Sequence, residues 1–257
     1  MKTKQGAATS WRSEGDWVRL TDWEKKFGVL AGVTSRALGN MKDPDVFRRR
    51  VGAAGLDPDR WAGGQQVHGA RVVSVARPRL KEKPRTDGVV TDAAGLALRV
   101  FTADCVPVFL IDPVQRAIGL IHAGWRGVQK DIVRTAIQTL AREYHSRPQD
   151  VCVALGPHIG GCCFEVGPEV AAVFQGTRGA VSGGKRGAND RRRLHLSAVL
   201  HAQSVRAGVR REKIIPAPGC TVCDPHYFSY RRDKTDQRQA AILCIHGARA
   251  SLPQGGK

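Results

Sequence analysis

Short apolar runs separated by polar or turn-forming residues recur along the chain and predict strands. These runs occupy residues 72–76, 95–101, 106–111, 117–121, 151–155 and 240–245. Runs of this length, bounded by turn residues, are typical of strands whose two faces are both buried. We therefore predict a core built largely from sheets.

Apolar residues at helical spacing predict three helices, at 131–144, 168–174 and 196–207. In the first of these the apolar residues share one face, with charged residues opposite: Ile132, Val133, Ala136, Ile137 and Leu140. A chain of 257 residues is short enough for one core. The mixture of elements predicts an α+β fold, a single domain (residues 1–257) of mixed β-sheets layered with helices.

Two stretches are predicted to lie outside this core. Residues 1–12 are mostly polar and are predicted to form a disordered tail, whereas residues 176–193 are rich in glycine and arginine and are predicted to form a mobile basic loop. The N-terminus lacks the apolar segment of a secretory signal, and the seven cysteines do not resemble a disulfide framework. We therefore expect a cytoplasmic protein without a membrane span.

The formal net charge of +18 has two interpretations. Arginine and lysine are scattered rather than clustered on one motif, and no standard nucleic-acid recognition motif is present. We therefore expect attraction for small anionic substrates and no specific nucleic-acid partner. A basic RNA-associated protein remains the non-enzymatic alternative, which a steep salt dependence of binding would reveal.

The candidate chemistry lies beside the apolar runs, at His68, Cys105 and His122. Imidazole nitrogen and thiolate sulfur are preferred zinc ligands, and three protein ligands leave the fourth position open for catalysis. Asp104 precedes the cysteine, where it could carry a proton or support a ligand. Spacing alone leaves two alternatives open: a buried cysteine with two hydrogen-bonded histidines, and a metal-free hydrolase with Cys105 as nucleophile and His122 as base.

Four further cysteines are less informative. Cys220 and Cys223 have the spacing of half a zinc site, and beyond the nearby His226 no fourth ligand is evident. We therefore expect packing residues or free thiols there. Cys162 and Cys163 are adjacent and are expected to point in different directions, with Cys163 packing near the site.

Several segments together resemble the YfiH-type family. They are TADCVPVFL (102–110), IHAGWRG (121–127), GPHIGGCCFEVGPEV (156–170) and FSYRRD (228–233), with QVHG (66–69) and TSR (34–36) in the same pattern. Members are often labelled polyphenol oxidase or laccase-domain proteins and are understood as zinc-dependent purine nucleoside phosphorylases with adenosine deaminase side activity. The resemblance spans about residues 32–245 and implies a YfiH/CNF-like fold.

The resemblance also implies that His68, Cys105 and His122 are the metal ligands and that Arg36 and Arg126 lie near them. Arg231 is implied to lie there as well, and a guanidinium group suits phosphate or ribose oxygens. The implied reaction is phosphorolysis of adenosine, inosine or guanosine to the base and ribose 1-phosphate, with zinc as cofactor and inorganic phosphate as co-substrate.

Two other reactions are weighed against phosphorolysis. Deamination of adenosine would use the same metal site. Copper-dependent phenol oxidation is less expected, and copper is less expected than zinc, because the chain has eight histidines and no His-x-His pair. Oligomeric state is left open.

Overall fold

The computed structural model describes residues 11–78, 82–183 and 191–246. Within these ranges the strands are β1 (Trp11–Glu14), β2 (Trp17–Leu20), β3 (Val29–Thr34), β4 (Trp61–Gly63), β5 (Val72–Ser74), β6 (Gly88–Thr91), β7 (Ala97–Thr102), β8 (Val106–Asp112), β9 (Ala117–Ala123), β10 (Cys152–Leu155), β11 (Glu165–Val166), β12 (Val181–Ser182), β13 (Arg192–Leu194), β14 (Ile214–Ile215) and β15 (Gln239–Ile245).

The α-helices of the same ranges are α1 (Thr21–Phe27), α2 (Pro44–Ala53), α3 (Trp125–Gln129), α4 (Ile132–Tyr144), α5 (Pro168–Phe174), α6 (Leu196–Arg206) and α7 (Tyr230–Asp233). These ranges also contain 3₁₀ turns at Arg36–Leu38 and Arg211–Lys213. No helix in the described part of the chain combines the length and apolar character that a membrane crossing requires.

The strands of the described residues form three sheets. The first has the order β1-β2-β3-β15-β7-β4, the second β14-β10-β8-β9-β6-β5, and the third, smaller sheet β11-β13-β12. Most pairs are antiparallel, whereas β4–β7, β5–β6 and β10–β14 are parallel. The sheets are therefore mixed, as predicted.

The two large sheets pack face to face between helices. Leu98 and Leu243 of the first sheet share one apolar cluster with Phe109 and Leu120 of the second. The outer face of the first sheet packs against α2, and the outer face of the second packs against α4 and α6. Because every central strand lies between two layers, both of its faces are apolar, which produces the continuous runs in the sequence.

The predicted α+β class and its main elements are confirmed. Helix α5 has the predicted bounds, and α4 and α6 differ from prediction by one residue at one end. The six predicted strands correspond to β5, β7, β8, β9, β10 and β15, with ends that differ by at most two residues.

Two predictions about the surface segments need correction. Residues 11 and 12 begin strand β1 rather than extending the tail, because the Trp11 side chain is buried against Phe109. Both ends of the predicted basic loop form strands, since β12 and β13 pair with each other and β13 pairs with β11. Residues 1–10 and 184–190, the remainder of the predicted tail and the centre of the predicted loop, lie outside the described residues.

Candidate metal centre and its cavity

Two of the three predicted ligands lie where the chain passes between the two large sheets, and the third lies on a strand of the second sheet. His68 belongs to the connection from β4 in the first sheet to β5 in the second, and Cys105 to the connection from β7 to β8. His122 lies on β9, opposite Pro107 of β8. Two crossings and one strand end therefore converge at one end of the sandwich.

The structure brings the ligand atoms of these three residues within 4.8 Å of one another. The imidazole rings of His68 and His122 meet edge to face, with centroids 4.9 Å apart. Gly124 lies against the group, and a Cβ atom there would be 2.8 Å from His68 Cδ2 and 3.1 Å from Cys105 Sγ. Two nitrogens and one sulfur in this arrangement suit zinc, and the absence of a side chain at residue 124 leaves room for the ligands.

Asp87 supports two of the ligands and escaped the sequence analysis. Its carboxylate accepts hydrogen bonds from His122 Nδ1 at 3.0 Å, from the backbone N–H of His68 at 2.9 Å and from that of Gly69 at 2.7 Å. A carboxylate behind a ligating histidine fixes the ring and its tautomer. The available signal was its position directly before the apolar run of β6, which resembles the position of Asp104 before β8.

His68 itself has a positive φ of 57°, which is costly for a residue with a Cβ atom. The hydrogen bonds from the backbone of residues 67–69 to Asp87 hold this conformation in place. The Asp87 carboxylate thus positions His122 through its ring and His68 through its backbone.

The pKa values of Cys105 and His122 favour a thiolate beside an imidazolium. Burial opposes charge on both groups, yet the neighbouring imidazoles lower the pKa of the Cys105 thiol to about 6. Burial likewise opposes the imidazolium, but Cys105 and Asp87 raise the pKa of His122 to about 9. Although burial alone would raise the pKa of Asp87, hydrogen bonds from His122 and Gly69 lower it. The cysteine is therefore poised as a thiolate, the form that binds metals.

The three ligands line a cavity of about 1020 Å³. This volume matches the upper range of small-molecule sites. Aromatic side chains contribute to the walls, namely Phe47, Trp61, Phe101, Trp125, Phe164 and Tyr230. Among the described residues, six cationic side chains also line it, against two carboxylates: Lys42, Arg48, Arg99, Arg126, Arg231 and Arg238.

Of the three predicted arginines, two line the cavity. Arg126 stacks on Trp125, with its guanidinium carbon 4.2 Å from the ring centroid. Arg231 lies 5.4 Å from the Phe164 ring and donates hydrogen bonds to the carbonyls of Cys163 and Glu165. Within the described ranges neither arginine has a carboxylate partner, so both are free to bind an anion.

Arg36 was expected near the metal ligands, but the structure places it away from the cavity. Its guanidinium lies 5.3 Å from the Phe228 ring and 3.8 Å from Asp233, and it is not among the described residues that line the cavity. The exposed 3₁₀ turn that carries Arg36 directs it towards α7, so a direct contact with substrate is no longer expected.

Asp104 lines the cavity, but its carboxylate holds the wall together. One oxygen accepts a hydrogen bond from the Thr221 hydroxyl at 2.6 Å and the other from the Arg231 backbone N–H at 2.7 Å. It has no hydrogen bond to His68, Cys105 or His122 among the described contacts. The structure gives Asp104 a structural role, which links the Cys105 segment to the Arg231 segment, and its roles as proton carrier or ligand support stay predictions.

Arg99 is a second feature that the sequence analysis missed. It is buried among the rings of Phe47, Trp61 and Phe101, at 3.8–4.6 Å from their centroids, and pairs with Glu82 at 2.9 Å. Burial lowers the pKa of Arg99 to about 10. Arg99 and Glu82 therefore form a fixed ion pair in the cavity wall.

Cys220 and Cys223 are free thiols, as one of the two expectations for them had it, but the expectation for Cys162 and Cys163 was wrong. Cys162 and Cys163 do not point apart, because their sulfurs lie 3.7 Å and 3.4 Å from the sulfur of Cys223. With Cys220 they form a second group whose ligand atoms all lie within 4.8 Å of one another. His226 is largely exposed and is not part of this group.

Known proteins support the resemblance found in the sequence. The chain is 39% identical over 196 residues to a Streptomyces coelicolor protein named purine nucleoside phosphorylase, a match that covers 74% of this chain and 77% of that protein. It is 32% identical to purine nucleoside phosphorylase YlmD of Geobacillus stearothermophilus, over 84% of this chain and 90% of the relative.

Solved structures agree with these sequence matches. Bacillus licheniformis hypothetical protein YfiH superposes with a TM-score of 0.83 at 26% identity, over 92% of this chain and 99% of that one. The structure of YlmD from G. stearothermophilus gives a TM-score of 0.82 at 28% identity, over 93% and 100% of the two chains. Residues 45–246 match the family model described as multi-copper polyphenol oxidoreductase laccase, and the chain belongs to this YfiH-type family.

Proposed function

We propose that this chain is a purine nucleoside phosphorylase that works with a zinc ion held by His68, Cys105 and His122. One observation carries the proposal: these three side chains share a cavity with two arginines, Arg126 and Arg231, that have no carboxylate partner in the described structure. The names of the relatives from S. coelicolor and G. stearothermophilus support the same activity.

Zinc is the metal that the donor set fits best. Imidazole and thiolate are its preferred ligands, and Asp87 supplies the carboxylate that commonly supports a ligating histidine. When bound with an open position, the ion supplies Lewis acidity to substrate oxygens. Copper is a weaker candidate because multicopper oxidation needs many histidines, and of the described histidines only His68 and His122 join a ligand cluster.

Arg126 and Arg231 are proposed to bind phosphate. A guanidinium presents paired N–H donors that match two phosphate oxygens. Arg126 is held by stacking on Trp125, and Arg231 by two backbone carbonyls, so both are positioned before a ligand arrives. Pre-positioned donors stabilise charge in the reacting complex without reorganising at that moment.

The aromatic walls are proposed to hold the nucleoside. Tyr230 is 52% exposed although it lines the cavity, which leaves its ring available to a ligand. Trp125 and Phe164 are already covered in part by the two arginines. A planar base packed against such rings gains about 1–3 kcal/mol from stacking.

The proposed reaction balances without a further reagent. An oxygen of hydrogen phosphate bonds to C1′ of the nucleoside, and the bond from C1′ to the purine nitrogen breaks. The electron pair of that bond stays on the purine, and the proton of hydrogen phosphate ends on the released base. Arg126 and Arg231 keep the phosphate oriented towards C1′, and the cavity walls limit access of competing water.

The test follows adenosine turnover with and without inorganic phosphate, with products separated by chromatography. Adenine and ribose 1-phosphate are expected only with phosphate, and Cys105→Ala or a chelator should abolish them. Cys152→Ala is the matched control, because Cys152 is a half-buried cysteine that belongs neither to the His68, Cys105 and His122 centre nor to the group of four cysteines. Arg126→Ala should raise the KM for phosphate about tenfold or more, whereas Arg142→Ala, on the exposed face of α4, should not.

Other products would redirect the assignment. Inosine formed without phosphate would identify deamination at the same site. The Cys105–His122 pair, backed by Asp87, also has the arrangement of a cysteine hydrolase. Activity that survives the chelator and is lost in Cys105→Ala would favour that second candidate. Absence of any nucleoside turnover would contradict the proposal.

A further inference from the structure

Four cysteine sulfurs from two distant segments meet behind the cavity wall. Cys162 and Cys163 lie in the loop after β10, and Cys220 and Cys223 lie between β14 and α7. Their sulfurs all lie within 4.8 Å of one another, and none of the four forms a disulfide. Neither the proposed reaction nor the metal centre of His68, Cys105 and His122 uses them.

The backbone around the group is fixed independently of any metal. Residues 158 and 220 form a parallel bridge, and the Thr221 N–H donates to the His158 carbonyl at 3.0 Å. The Gly160 N–H donates to Cys220 Sγ at 3.1 Å, a bond that favours a thiolate. A Cβ atom at Gly160 would lie 3.1 Å from Cys162 Sγ and 3.2 Å from Cys220 Cβ, so the glycine makes room for the sulfurs.

The spacing of the sulfurs suits one tetrahedral ion. Four sulfurs at about 2.3 Å from a zinc ion are separated from each other by about 3.8 Å. The Cys162–Cys223 and Cys163–Cys223 separations of 3.7 Å and 3.4 Å are close to that value. A multi-iron cluster would hold its cysteine sulfurs farther apart, because iron atoms and bridging sulfides lie between them.

Three arginines lie beside the group. Arg193 and Arg232 also pair with carboxylates, those of Glu165 and Asp233, whereas Arg231 has no carboxylate partner among the described residues and so offsets charge that four thiolates would bring. Arg193 donates to the Cys162 carbonyl and Arg231 to the Cys163 carbonyl. Arg232 donates to the Thr221 and Val222 carbonyls at 2.8 Å and 3.0 Å. A tetrathiolate zinc complex carries a net charge of −2, so cationic neighbours stabilise it.

We infer that Cys162, Cys163, Cys220 and Cys223 bind a second zinc ion in a closed structural site. Four protein ligands leave no open position, which is the property that separates structural zinc from catalytic zinc. The ion would join the loop that carries Phe164 to the segment that carries Arg231, and so brace one wall of the cavity. The inference concerns metal binding and does not depend on the proposed reaction.

Metal analysis of the purified full-length chain, after dialysis against zinc-free buffer, tests the inference. Two zinc ions per chain are expected for the wild type and for Cys152→Ser, and one for Cys105→Ala. The double variant Cys220→Ser/Cys223→Ser should also retain one. A wild-type chain with a single zinc that disappears in Cys105→Ala, or an undiminished content in the double variant, would overturn the inference.

Cobalt substitution keeps the test valid even if the double variant fails to fold. The Cys105→Ala chain loaded with Co²⁺ should show the sulfur-to-cobalt charge-transfer and visible bands of a tetrahedral tetrathiolate site. An octahedral spectrum without these bands would contradict the inference. Thiol titration of denatured, unreduced wild type should find all seven cysteines reactive, and loss of a pair would indicate a disulfide instead.

Discussion

The two sulfur-containing clusters show how surroundings decide what a cysteine can do. Around Cys105, burial opposes the thiolate, but the imidazoles of His122 and His68 lower the thiol pKa to about 6, and the group opens onto a cavity. At Cys163, burial and the neighbouring sulfurs raise the thiol pKa, and the group is closed by four sulfurs. Three ligands of mixed type that leave a coordination position open suit a catalytic zinc ion, whereas four cysteine ligands suit a structural zinc ion.

Each cluster has a glycine packed against its ligands, Gly124 in the first and Gly160 in the second. Substitution of each glycine by alanine therefore tests the comparison. Gly124→Ala should have the largest effect, because its Cβ atom would press on both His68 and Cys105. We expect phosphorolysis to fall by more than about a hundredfold, since changes behind metal ligands alone cost about 10–100-fold. Zinc content should fall by one ion while the second cluster keeps its metal. Full activity in this variant would contradict the assigned centre.

Asp87→Asn should have the next largest effect. The amide cannot accept from His122, His68 and Gly69 as a carboxylate does, so the ligands lose orientation. Zinc affinity at the first cluster should fall by roughly 10–100-fold, measured by competition with a chromogenic chelator. Asp92→Asn, at an exposed position after β6, provides the control and should leave the affinity unchanged.

Alkylation of the metal-free chain should separate the two kinds of thiol by pH. Because the pKa of Cys105 is lowered to about 6, its reaction with iodoacetamide should rise through pH 6 and level off above it. The pKa values of Cys162 and Cys163 are raised by burial and then by neighbouring sulfurs, so their reaction should still rise above pH 9. Peptide mass spectrometry at each pH distinguishes the sites. At pH 7 we expect Cys105 to react about tenfold faster than Cys163. Equal rates would contradict the difference in thiol pKa between the two clusters.

Gly160→Ala should have the smallest effect on activity. Its Cβ atom crowds Cys162 and Cys220, so the second ion should be lost while the first remains. The expected result is a Tm lower by roughly 5–10 °C, with turnover reduced less than about threefold. Differential scanning calorimetry with and without added zinc measures the change. Gly176→Ala is a suitable control, since no atom lies within 4 Å of a Cβ atom there.

The elements predicted correctly are those whose information is local. Strands β8, β9 and β15 are continuous apolar runs because both faces are buried, and α4 has apolar residues on one side only. Strands β3 and β6 were missed although they are short, fully buried runs. Other missed elements lack such patterns. Strands β11–β13 have only two or three residues each and exist because they pair with one another, and α2 is dominated by arginine at its centre.

The site residues also divide into those that the sequence indicated and those that only contacts between distant segments revealed. The types of residue at 68, 105 and 122 indicated a zinc site only through the family resemblance, since intervals of 37 and 17 positions match no compact motif. Asp87 and the four-cysteine group were not predicted at all. Their partners lie tens of residues away in the sequence, and no local pattern constrains such distances.

The α+β class, the central strands and the chemical types available for a site follow from the amino-acid sequence, because burial and periodicity act over neighbouring residues. Which of those groups meet depends on the packing of the folded chain. The crossings between the two large sheets bring His68 and Cys105 to His122, and the bridge between residues 158 and 220 brings four sulfurs together. Both outcomes depend on how distant segments pack, a property of the whole chain.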